Sequence, residues 1–157
     1  MKKAPSYLYA RKLMEHLQGD TDLAPLVMPG IFDRVNQCDL LLMTADSQYC
    51  CVAVTPGDPN NTDQAQRTRT TRMDCPMVVG IYMQQESLLP PGYDSVDEYL
   101  ADVAATIIAR VQVWGTNEED NQEEPIVIGV TPLDLSKLEK IKNLVGKAVV
   151  LAPRLFY

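Results

Sequence analysis

A chain of 157 residues, 46% apolar and 22% charged, is sized and composed for about one globular domain with its own core. Its 14 basic and 21 acidic residues leave a net charge of −7, which argues against a protein that grips nucleic acid by neutralising phosphates. No apolar run approaches the roughly 20 residues that cross a bilayer, and charges interrupt the N-terminal stretch where a secretory signal would be apolar.

The first helix is predicted from Ser6 to about Gln18. Ala10, Leu13, Met14 and Leu17 fall at i, i+3, i+4 and i+7, one helical stripe. Ser6 is expected to cap its start, and Gly19-Asp20 to stop it. A connection with Pro25, Pro29 and Gly30 leads to a strand expected over Ile31–Val35, followed by strand candidates over Asp39–Met43 and Tyr49–Thr55. Residues 56–66, PGDPNNTDQAQ, are expected to form a mobile loop. From Arg67 to Gln85 the enrichment in Thr, Val, Ile and Tyr predicts strand, with a bulge or an edge position at Pro76. The Val78–Met83 stretch is apolar enough for a central strand.

The clearest helix signal begins at Ser95, where Ser95 and Glu98 have the spacing of a capping box. Val96, Tyr99, Leu100, Val103, Ala104, Ile107, Ile108 and Val111 then keep a helical period, so a helix is predicted from about 96 to 112. The run Glu118–Glu124 holds five acids in seven residues. A short strand is expected at Ile126–Val130, a short helix from Ser136 to Val145 with Gly146 as its stop, and a last strand at Lys147–Leu151 before Leu155-Phe156-Tyr157 closes the chain. The fold class predicted is α+β in one domain over 1–157: a mostly antiparallel sheet with an N-terminal helix and the long helix packed on it.

Chemistry-bearing residues are sparse. The one histidine, His16, stands on the first helix without a nucleophile motif to serve, and neither metal-ligand spacing nor a glycine-rich phosphate loop is present. The sequence therefore predicts no catalytic residues, no cofactor and no metal. The four cysteines, Cys38, Cys50, Cys51 and Cys75, make no CxxC pair and are expected as reduced thiols. Cys50 and Cys51 are adjacent on a predicted strand and would face opposite sides as small hydrophobes. Arg67, Arg69 and Arg72 alternate with threonines. Three readings are open: an edge guarded by charge, a subunit interface where guanidinium forks would meet carboxylates, and a DNA contact, which the net negative charge disfavours. Glu118, Glu119 and Asp120 are correspondingly either a solvated loop or the acidic side of that interface.

Four stretches, taken in order, carry a resemblance: SYLYARKLMEHLQGDTDLAPLVMPGIFDRV, RMDCPMVVGIYMQQ, YDSVDEYLADVAATIIARVQ, and PIVIGV with the final strand. This succession resembles the tail-terminator (tail-completion) proteins of long-tailed bacteriophages. The resemblance implies a structural virion protein without catalytic residues or cofactor. It would form a homo-oligomeric ring, a hexamer, that caps the tail tube and joins it to the neck or head. The implied partners are other copies of the chain and tail-tube, sheath or neck proteins, with no membrane. The implied location is the tail or neck of a virion assembled in the bacterial cytoplasm. The acidity of the chain would also fit a ring through which DNA slides without sticking. Another neck or head-completion connector and a small cytoplasmic enzyme or ligand-binding domain are the alternative readings.

Overall fold

Pro5 sets the start of the first helix, α1 (Pro5–Gln18), in the structure, a computed structural model that describes residues 4–32, 49–57, 72–84, 89–117, 126–132 and 144–156. A proline suits the first helical position because its missing N–H would have had no helical acceptor there. The cap is consequently Ala4, in extended conformation and without a side-chain cap bond, and not Ser6 as expected. Ser6 falls inside the first turn and is buried. Gly19 ends the helix, its N–H donating to the Glu15 carbonyl at 3.1 Å. Tyr9, Ala10, Leu13 and Leu17 are the buried stripe.

Among the described residues seven strands follow in two sheets. β1 (Val27–Phe32), β2 (Cys50–Pro56), β4 (Met77–Gln84), β5 (Ile126–Pro132) and β6 (Leu144–Ala152) form a five-stranded sheet in the order β1-β2-β4-β6-β5. β1 runs parallel to β2, and the remaining pairs are antiparallel. β3 (Arg72–Asp74) and β7 (Arg154–Phe156) make a separate antiparallel pair. The strand expected at Ile31–Val35 starts earlier, at Val27, with its register shifting between Val27 and Ile31. Pro29 lies in that interval, and an edge strand tolerates a residue that cannot donate to the ladder. Residues 33–35, the candidate 39–43 and the loop positions 58–66 lie outside the described residues.

Pro76 does more than bulge a strand. It divides the predicted 67–85 segment into β3 and β4, which belong to different sheets. The paired strand turns at the matching place: β6 ends at Ala152, Pro153 follows, and β7 begins at Arg154. Neither proline can donate to a ladder, so the ribbon leaves the large sheet at both. The Cys75 N–H donates to the Pro153 carbonyl at 2.9 Å and holds the two corners together.

The other correction concerns the end of the predicted short helix. Leu144, Val145 and Gly146 are strand residues paired with Gln84, Met83 and Tyr82, and residues 136–143 lie outside the described residues. A central strand with open ladder positions stabilises those three residues as strand more than a weak local helix signal can offset. Gly80 has a role in the same place, since a Cβ there would come within 2.6 Å of the Tyr82 ring that lies over it.

Pro91-Gly92 turns the chain ahead of α2 (Val96–Asn117), Gly92 taking a φ of +98°. The helix starts immediately after Ser95, whose carbonyl accepts the Tyr99 N–H at 3.1 Å, and runs five residues past the predicted end at 112. Asp97 and Glu98 in its first turn complement the helix dipole. Tyr99, Leu100, Val103, Ala104, Ile107 and Val111 are buried. α1 lies over β1 and β2, and α2 over β4 and β6, so both helices share one face of the sheet. That face supplies Val52, Val54, Val79, Ile81 and Leu151 to a core continuous with the helix stripes. The arrangement is α+β, with both helices placed as the sequence predicts.

Candidate functional site

The polar groups nearest the core are built from α2, β2 and the connector after α1. The Tyr99 hydroxyl donates to the Leu26 carbonyl and stands 3.0 Å from Cys50 Sγ. The Cys50 thiol faces the same carbonyl at 3.9 Å. Burial pushes the Cys50 thiol up to about 11, against the lowering effect of the Tyr99 hydroxyl. Burial, then the neighbouring Cys50, also raises the Tyr99 phenol. A fully buried thiol held protonated at neutral pH is a poor nucleophile. Tyr93 packs edge-on against Tyr99 with ring centres 5.3 Å apart, and its hydroxyl donates to Asp102 Oδ2 at 2.8 Å. This cluster pins the start of α2 to the sheet. Cys51 faces away from it, opposite Tyr82, and is likewise buried, as is Cys75.

Charges join α1 to α2 at the far end. Asp20, just past Gly19, accepts the N–H groups of Asp22 and Leu23, both at 2.9 Å, through Oδ1. Its other oxygen lies 2.8 Å from Arg110 Nε, while Arg110 Nη2 also pairs with Asp22. His16 Nε2 is 3.2 Å from the Arg110 carbonyl, to which it donates. This bond ties the two helices together. Among the described residues no three His, Cys, Asp or Glu side chains come together as metal ligands, and no helix is long and apolar enough to cross a membrane.

Among the described residues an open apolar groove lies between α2 and the edge strand β5. Ala101, Ala105 and Ile108 form the helix wall, Val130 and Pro132 the strand wall, and Lys147 reaches it from β6, around a space of about 360 Å³. β5 bonds to β6 on one side and to no other described strand. α2 lies over β6 and stops short of covering the edge, which leaves Val130 41% exposed. Sequence reading missed this groove. Its one signal is that Ala101 and Ala105 flank the core stripe of the helix with small side chains.

Of the predicted interface residues, Arg67, Arg69, Glu118, Glu119 and Asp120 lie outside the described residues. Arg72 opens β3 and pairs in register with Phe156, while Met73 pairs with Leu155. The structure therefore joins the arginine segment to the apolar C-terminal segment, two features that the sequence presents separately. β7, and with it this pair, packs beside α1.

No protein-family profile matches the sequence, and no curated protein does. The fold is similar to that of a chain in the virion of a native gene transfer agent (GTA) particle, with a TM-score of 0.55 at 13% identity. The likeness covers 92% of this chain and 92% of that one.

Proposed function

We propose that this chain is a structural, non-enzymatic virion protein of the tail-terminator type. It assembles into a homo-oligomeric ring, six-fold in this reading, that caps the tail tube and joins it to the neck or head. The observation that carries the reading is the fold likeness to a GTA virion chain, which takes in nearly the whole of both molecules. The succession of elements that resembles tail terminators supports the same reading independently. Its partners are further copies of itself and the tail-tube, sheath or neck proteins it adjoins, within virions assembled in the bacterial cytoplasm. A net charge of −7 suits a ring through which DNA slides without being held.

In this reading Arg67, Arg69 and Arg72 face Glu118, Glu119 and Asp120 of the next subunit. Complementary charged segments of this kind would fix the register between neighbours in a closed head-to-tail ring.

Sedimentation velocity and negative-stain imaging of the purified chain over a range of concentrations test the proposal. Closed rings of one size are the expected result. A chain that stays monomeric at every concentration, or a labelled antibody that binds virions away from the tail–neck junction, would overturn it.

A further inference from the structure

Among the described residues three large apolar side chains are markedly exposed: Tyr7 at 62%, Leu8 at 43% and Val130 at 41%. They occupy two places of opposite shape. Tyr7 and Leu8 project from the first turn of α1, on the side away from its buried Tyr9, Ala10 and Leu13. Val130 lies at the mouth of the concave groove between α2 and β5. α1 covers the β1–β2 end of the sheet and the groove lies at the β5 end. Four strand spacings, about 19 Å, separate those two ends. No single subunit can bring the two patches together.

We infer that the outer face of α1 from one copy of this chain seats in the α2–β5 groove of the next. The inference rests on the ring reading and names the contact that builds the ring. Shape decides between symmetries. A convex helix face does not complement its own copy, nor does a groove, but one fits the other. Such a pair produces a head-to-tail contact that closes when the rotation allows.

Charge agrees at both ends of the groove. Its helix wall continues toward the start of α2, where Asp97 stands four residues before Ala101 and Glu98 stands beside it, both exposed. Arg11, exposed on α1, shares a stripe with Tyr7 and Leu8 at i+4 and i+3. At the other wall the groove presents Lys147, and α1 presents exposed Glu15, seven residues past Leu8 on the same stripe. One helix thus offers a basic and an acidic group around an apolar knob, and the groove offers an acidic and a basic group around an apolar slot. An interface of this build draws affinity from the apolar centre and register from the charges.

The test uses the full chain with Cys38→Ser as background, since Cys50, Cys51 and Cys75 are buried. The double variant Leu8→Cys/Val130→Cys, oxidised mildly, is expected to give a ladder of disulfide-linked multimers. The single variants mixed one-to-one should give only a linked dimer. Separately, Leu8→Asp and Val130→Asp should each weaken assembly by roughly tenfold or more, with circular dichroism unchanged. Arg11→Glu and Asp97→Lys should each weaken assembly, and the two together should restore it. A parent that assembles while the Asp variants assemble equally well and no cross-subunit disulfide forms overturns this contact and leaves the ring standing. Self-linking of Leu8→Cys alone overturns it too, since that would make the contact isologous. A parent that remains monomeric throughout overturns both readings.

Discussion

At the scale of residues, the chain directs its few reactive groups to holding structure together. Cys50 is the clearest case. Its thiol, raised from an ordinary 9.0 to about 11, is protonated in folded and unfolded chains alike below pH 9, so its contribution to stability is intact there. As pH rises from 9 to 11 the unfolded chain releases the proton first, and stability falls by about 1.4 kcal/mol per unit from this one group. Denaturant titrations across that window are expected to show a shallower decline for Cys50→Ala than for the parent. Tyr99→Phe removes the hydroxyl that the Leu26 carbonyl and Cys50 share. It should cost about 1–3 kcal/mol, the penalty of leaving a buried acceptor without a partner. The two aspartates after α1 should differ. Asp20 is largely buried, accepts two backbone N–H groups and meets Arg110, whereas Asp22 has a side chain 64% exposed. Asp20→Ala should cost about 1–2 kcal/mol and Asp22→Ala under about 0.5 kcal/mol, read from chemical denaturation midpoints.

At the scale of elements, α2 carries the largest share of the core that a single segment supplies among the described residues. Leu100 and Ile107 are both buried, and Leu100→Ala and Ile107→Ala should each cost on the order of 2–5 kcal/mol in thermal or denaturant unfolding. Ala101→Leu, on the open side of the same helix, should leave monomer stability within about 0.5 kcal/mol, as surface substitutions do. The contrast separates the face that builds the fold from the face that lines the groove. The proline corners make a second element-scale point. Pro76 and Pro153 stand at matching places where β4 and β6 give way to β3 and β7, and the Cys75–Pro153 hydrogen bond lies between them. The main sheet ends there because neither proline can extend the ladder.

At the scale of the whole molecule, the two helices cover one sheet face from the β1 end to β6 and leave β5 at the rim. An exposed edge strand is a hazard unless a partner or a charge manages it, and assembly through the groove beside it would turn that hazard into a contact. Reversing Arg67, Arg69 and Arg72 to Glu is expected to leave a folded monomer that no longer forms rings, as seen by sedimentation together with circular dichroism. A triple variant that assembles as well as the parent would remove those arginines from the interface without touching the α1–groove contact, because the two rest on different residues.

Both helices, the central strand over Val78–Met83 and the α+β class are legible in the sequence, because each depends on a local period that burial on one face imposes on its own segment. The opposite orientations of Cys50 and Cys51 follow from strand geometry alone. What the tertiary structure decided lies between segments. Leu144–Gly146 became strand because Gln84, Met83 and Tyr82 offered ladder partners sixty residues away in sequence. The 67–85 stretch became two strands because Pro76 met a second proline, Pro153, across the ribbon. Ser6 lost the cap to Ala4 because Pro5 fitted the first helical position. The groove was invisible in the chain because it exists only where α2 stops short of an edge strand, and no local pattern records how far across a sheet a helix reaches.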